Sequence, residues 1–186
     1  MPFLEIKLGD IIFDPKVQTY CVSPKFKCPN YRHSWACPPE APYLEKKVSN
    51  FNRFYLIYYK LDFINYIKNE KAKNPTSSEK EIRDMLFTNN LLRDKLEQEI
   101  YMFIENYKAN FEEKLILWDG YCRTCNNKID KGCNYDSGEP CRYPDKKRYS
   151  MEAVGIDVTA MTNKLKIPIE WPPINHVYRF GLVCLK

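Results

Sequence analysis

Phe54-Tyr55-Leu56-Ile57-Tyr58-Tyr59 is the stretch on which the fold turns. Aromatic and branched side chains run through it without a break, which suits a pleated, well-buried surface and predicts a central strand. Its tyrosines read as core and sheet packing rather than as a platform for stacking bases. Upstream, Tyr43, Leu44, Val48 and Phe51 recur at helical spacing and predict a short helix within residues 42–51, after the Pro38-Pro39 stop. Nearer the N-terminus, Leu4 to Phe13 is apolar-rich, with Gly9-Asp10 as a turn and Ile11-Ile12-Phe13 as a short strand. Downstream, residues 68–78 are polar and Asn74-Pro75 is a breaker. Ser78-Glu79-Lys80-Glu81 then has the form of a capping box opening a helix. Ile82, Leu86, Leu92, Leu96, Ile100, Phe103, Ile104, Tyr107 and Phe111 continue as a helical stripe, interrupted at Thr88-Asn89-Asn90, with Arg93, Asp94, Lys95 and Glu97 as a solvated face.

Leu115-Ile116-Leu117-Trp118 reads as a second strand, and Asp119-Gly120 turns the chain into a polar loop. Ser150-Met151-Glu152-Ala153 reads as a helix start. Asp157 is placed to cap a short helix from Thr159 to Leu165, residues 168–173 form a loop, and Val177 to Leu185 is a terminal strand. These elements predict an α+β fold in one domain over residues 1–186. A small mixed sheet from strands near 54–60, 114–118 and 177–185 is backed by helices near 79–110. Two cysteine-rich loops, near 21–39 and 120–149, lie at one end and form the metal site or sites.

The chain has 186 residues, 44% of them hydrophobic and 15% aromatic, which supports a real core and excludes a disordered chain. A net charge of +5 is too small and dispersed to argue for nucleic acid. Met1-Pro2-Phe3-Leu4-Glu5-Ile6-Lys7 lacks the apolar core of a secretory signal, and no run approaches the length of a membrane helix. The expected compartment is the cytoplasm, where thiols stay reduced and clustered cysteines serve as ligands or catalysts rather than disulfides.

The sequence contains eight cysteines. Cys122, Cys125, Cys133 and Cys141 sit in the polar loop, which has little apolar material to bury and so needs a cross-link, either disulfides or a metal. The Cys122-x-x-Cys125 turn lets both sulfurs point the same way, which suits one ion or cluster. Cys21, Cys28 and Cys37 form an earlier group among prolines, in Cys28-Pro29-Asn30-Tyr31 and Trp35-Ala36-Cys37-Pro38-Pro39; cysteine followed by proline recurs around iron–sulfur clusters. Cys184, in the terminal strand, reads as a buried small hydrophobe. Structural zinc sites show two cysteine knuckles or one knuckle with a spaced histidine pair. Here there is one Cys-x-x-Cys and only two histidines, His33 and His176. The single cysteines favour a cubane reached from several directions. Zinc wrapped by Cys122, Cys125, Cys133 and Cys141 is the alternative, and His33 reads as an uninvolved loop residue. The later four cysteines suffice for one cluster and the earlier three leave one iron open, unless both groups converge on one site. Arg142, Lys147 and Arg148, in the basic run after Cys141, are candidate anion contacts, or else a solvated basic loop.

Cys28-Pro29-Asn30-Tyr31 leading to Cys37-Pro38-Pro39, the later Cys-x-x-Cys, Cys141-Arg142-x-Pro144 and Ser150-Met151-Glu152-Ala153-x-Gly155-Ile156-Asp157-Val158 resemble a family without an established function. It is a cysteine-rich family of predicted metal-binding proteins, common in anaerobic prokaryotes and archaea. The resemblance spans nearly the whole chain and implies a metal, most simply iron–sulfur, but no reaction. The family places a third cysteine soon after the Cys-x-x-Cys pair; here Lys128 stands there and Cys133 comes later.

Three functions follow as expectations. The first is an iron–sulfur protein, with one or two 4Fe–4S clusters, that transfers electrons or serves an anaerobic enzyme, with a redox protein as partner. The second is an enzyme using an open cluster iron for sulfur or small-acid chemistry. The third is a zinc-stabilised module binding RNA or protein. No catalytic triad, nucleotide-binding glycine loop or paired-carboxylate motif is present.

Overall fold

The computed structural model describes residues 2–23, 26–125 and 132–186. Its centre is the predicted one. Strand β4, Arg53–Asp62, pairs along its whole length with β6, His176–Leu185, from Arg53 opposite Leu185 to Asp62 opposite His176. β1, Phe3–Ile6, adds to the free edge of β4, and β5, Lys114–Leu117, to the free edge of β6, giving the order β1-β4-β6-β5. Every ladder is antiparallel, so the expected mixed sheet is corrected to an antiparallel one. The helices and sheet together match the expected α+β class.

The unbroken apolar run in β4 follows from burial of both faces of the sheet. Phe54 and Leu56 join Leu117, Phe180, Leu182 and Cys184 on one face, while Tyr55 and Ile57 join Val183 and Leu185 on the other. The second face is covered by α4, Leu91–Asn106, through Leu96, Ile100 and Phe103. The first is covered by short elements: α1, Glu45–Val48, with Leu44 and Val48, and α5, Val158–Lys164, with Met161. Asp157 caps α5 by accepting from the Ala160 amide, as its position predicts.

The helical stripe divides where expected. α3, Glu79–Thr88, opens on a capping box between Ser78 and Glu81 and ends at Asn89, before α4 begins. Two elements differ from expectation. Residues read as polar linker belong to α2, Phe63–Lys73, which Asp62 caps through the Asn65 amide. Only Phe63 in this helix is buried, so it carries no apolar stripe to betray it. The N-terminal strand is Phe3–Ile6; of the expected 11–13 strand only Phe13 bridges, to Ile156. Among the described residues no helix is long and apolar enough to cross a membrane.

Gly155 ties the region beside the sheet to the N-terminal segment. Its φ is +93°, its carbonyl accepts from the Asp14 amide at 2.9 Å, and a Cβ there would stand 2.4 Å from the Tyr43 ring. A Gly155→Ala variant is expected to lose about 1–3 kcal/mol of stability, from backbone strain and displacement of Tyr43, as measured by urea unfolding.

Candidate metal centre

A small hairpin builds the first cysteine group. β2, Val22–Ser23, pairs with β3, Phe26–Lys27, and the Cys28 amide donates to the Cys21 carbonyl at 2.8 Å, which sets the two cysteines across from each other. Cys37 follows a turn closed by its own amide on the Ser34 carbonyl. All three line one recess of about 290 Å³. Asn30 and Pro38, Asp119-Gly120-Tyr121, Arg93, Arg179, Ser150, Glu152 and Ala153 complete its wall. This recess lies where β5 ends.

The second group lines a separate cavity. Cys122, Cys125, Cys133 and Cys141 meet there with Ser34, Trp35, Ala36, Thr124, Tyr143 and Lys147. The structure therefore divides the seven cysteines four and three, with Cys133 among the four. Lys128 lies outside the described residues. The two linings share no residue, and chain neighbours part between them in two places. Ala36 lines the four-cysteine cavity and Cys37 the other recess; Cys122 lines the first and Tyr121 the second. Among the described residues, no three His, Cys, Asp or Glu side chains gather closely enough to hold a single metal ion.

Arg123 anchors the Cys-x-x-Cys turn. Its side chain is 7% exposed, and its guanidinium bonds Asp94 at 2.6 Å and also Glu97, both on α4. Glu97 accepts a second bond, 2.9 Å, from Arg148, which also reaches the Tyr101 hydroxyl and lies 3.8 Å over the Trp118 ring. The Arg148 amide donates to Cys122 Sγ at 3.5 Å, and Thr124 donates to the Lys146 carbonyl at 2.8 Å. The first loop clasps the second through Trp35, which donates to the Glu139 carbonyl and packs edge-on against Tyr135. His33 lies outside both cavity linings, with Nδ1 2.8 Å from Asp136.

Among the candidate anion contacts, Arg148 is held by Glu97 and Tyr101, and Arg142 donates to the Gly132 carbonyl. Lys147 lies 5.8 Å over the Tyr149 ring and lines the four-cysteine cavity. Arg93, Asp119, Arg123, Glu152 and Arg179 were not expected at the site. Arg93 falls within the stretch read as a solvated helix face, and the others carry no spacing signal of their own. Cys184 has no exposed surface and lies in the sheet core, away from both groups, as its strand position predicts.

Burial raises these thiols. Cys37 is pushed up to about 11, first by burial and then by the nearby Cys28, Cys21 and Cys122, against a hydrogen bond to Ser34. Burial and Cys28 likewise push Cys21 up to about 11. Burial raises Cys125, and Arg142 opposes it. Thiols crowded this way hold their protons until a cation takes the protons' place, and thiolate is the form that ligates. Thiols are the donors that soft metals prefer, and Trp35 and Pro38 stand beside them in the two linings. Glu152 is a separate case. The residue keeps exposed surface and lines the recess. Burial first and Asp119 second raise its pKa, against Ser150 and Arg179.

A family model described as "Predicted metal-binding protein (DUF2284)" matches residues 4–185. No curated protein and no solved structure matches the chain.

Proposed function

The chain belongs to this family of predicted metal-binding proteins, and from that premise we propose that it is an iron–sulfur protein with two centres that works in one-electron transfer. The observation that carries the reading is the division of the seven cysteines between two linings, four around one cavity and three around a separate recess. Cys122, Cys125, Cys133 and Cys141 would hold one 4Fe–4S cluster completely, and Cys21, Cys28 and Cys37 would hold three corners of a second. Such clusters supply reversible one-electron transfer, with Lewis acidity where an iron lacks a protein ligand.

The chain's own residues then tune the sites. The Arg148 amide on Cys122 and the Arg142 charge beside Cys125 favour the more negative, reduced state and so raise the potential. Two thiolate-bound clusters suit a reducing compartment, in keeping with the cytoplasm. Lys114, Lys146, Lys147 and Arg148 line a groove of about 420 Å³ that shares Thr124 and Lys147 with the four-cysteine cavity. An acidic redox partner fits there by charge. The enzyme reading draws on a different observation: the three cysteines share their recess with two arginines and two carboxylates, so chemistry at an open iron has polar groups at hand.

Protein purified without oxygen is expected to be brown, to lose visible absorption on reduction and to regain it on reoxidation. A visible spectrum that does not respond to reductant would count against the proposal.

A further inference from the structure

Three elements converge on the three-cysteine recess with charged side chains: Arg93 from α4, Arg179 from β6 and Asp119 just beyond β5. Asp119 lies between the two guanidiniums, at 3.5 Å from Arg93 Nε and 3.4 Å from Arg179 Nη1. The pairing is loose, with one long hydrogen bond, 3.5 Å, from Arg179 Nη1 to Asp119 Oδ1. Arg93 Nε, Arg179 Nε and Asp119 Oδ2 are all buried atoms without a hydrogen-bond partner among the described residues. Buried donors left unpaired are costly and rare, and an unfilled ligand position is one of the few reasons a fold retains them.

A second observation points the same way. Gly120 lines the recess with a φ of +72°, and a Cβ on it would stand 2.7 Å from Arg93 Nε and 3.2 Å from its Nη2. The missing side chain is the cradle in which the Arg93 guanidinium lies, with the Tyr121 ring 5.4 Å from its Cζ to the centroid. Any residue larger than glycine would push the guanidinium out of place.

We propose that Arg93 and Arg179 bind a small organic monocarboxylate in this recess. Guanidinium N–H groups recognise carboxylate oxygens in plane, which suits two arginines from different elements facing one cavity. Charge sets the ligand's valence. Asp119 takes up one of the two positive charges and Glu152 on the same wall adds none, so at most one positive charge is left for the ligand. A monoanion is matched, while a dianion such as sulfate meets more negative charge than the recess can balance. Size sets the rest. About 290 Å³ lies at the bottom of the roughly 300–1,000 Å³ range of small-molecule sites, and the cysteines' own occupant takes part of it, so a nucleotide does not fit. The inference deepens the proposed function and rests on it, since the thiols opposite the arginines are read as the open metal position.

Calorimetric titration of the anaerobically purified full-length protein tests this, with acetate, lactate and sulfate as probes and with iron and sulfide assayed on the same samples. Acetate or lactate is expected to bind with measurable heat and sulfate not to. Arg93→Gln and Arg179→Gln are each expected to weaken carboxylate binding about tenfold or more, and Gly120→Ala to do the same by displacing Arg93. Iron and sulfide content should stay unchanged in all three. Lys166→Gln, at a residue outside the recess lining, is expected to bind as the wild type does. Metal-loaded wild type that binds neither carboxylate, or that binds sulfate as well as acetate, overturns the inference and leaves the cluster reading standing. So does an Arg93→Gln variant that only melts earlier and binds normally. Protein without iron or sulfide refutes the cluster reading itself.

Discussion

A Cys125→Ser variant is expected to lose the metal of the four-cysteine cavity, about half of the total iron, while the three-cysteine recess keeps its own. The loop from Cys122 to Cys141 has few other means of holding its shape. Its buried side chains among the described residues are Arg123, Cys125 and Asn134, two of them polar. Metal ligation is therefore expected to supply the stability that apolar burial supplies elsewhere, and structural metals contribute about 10 kcal/mol or more of apparent free energy in small folds. The sheet has its own core, so the expected outcome is a loop open to protease around a sheet that stays folded. Iron assay and limited proteolysis check both halves. Cys184→Ser is the contrasting control. It should keep all its metal and instead lose about 1–3 kcal/mol of global stability, because its hydroxyl would be buried in the sheet core. Full iron in Cys125→Ser would remove Cys125 from the ligand set.

Arg123→Ala has the next largest expected effect, and it acts on stability and on the site together. The guanidinium fastens the Cys-x-x-Cys turn to α4 through Asp94 and Glu97. Removing one partner of a buried ion pair costs about 3–5 kcal/mol when the other charge is stranded. Here Asp94 is 56% exposed and Glu97 retains Arg148, so the expected loss is smaller, about 2–3 kcal/mol. Iron retention should also fall, since Cys122 and Cys125 flank the lost anchor. Arg123→Lys is expected to restore only part of either property, because an ammonium cannot reach both carboxylates with the geometry of a fork. Urea unfolding and iron content, measured on the same preparations, check this.

Which parts of this architecture the sequence discloses depends on how local the physics is. Strand β4 is legible because both faces of the sheet are buried, which leaves an unbroken apolar run at Phe54–Tyr59. The Ser78–Glu81 box and Asp157 are legible because capping is settled within one turn of helix. α2 is not, since Phe63 alone is buried and a solvated helix leaves little pattern. The parallel or antiparallel character of the sheet is equally hidden, because it depends on how the strands connect and not on what they contain. At the site, the seven cysteines stand out by count and spacing, but their division into four and three depends on linings, parted between Ala36 and Cys37 and between Tyr121 and Cys122, that only the folded chain brings together. Arg93 and Arg179 carry no signal at all in sequence. One is an unremarkable helix charge and the other sits in a strand, and they meet only because α4 covers β6.

On the proposed reading, two thiolate-ligated clusters lie side by side in this chain. Iron and acid-labile sulfide, assayed per chain on protein purified without oxygen, test it most directly. Two complete 4Fe–4S clusters predict about eight of each. Stoichiometric zinc without sulfide would contradict the claim and leave the four-cysteine cavity as a structural zinc site.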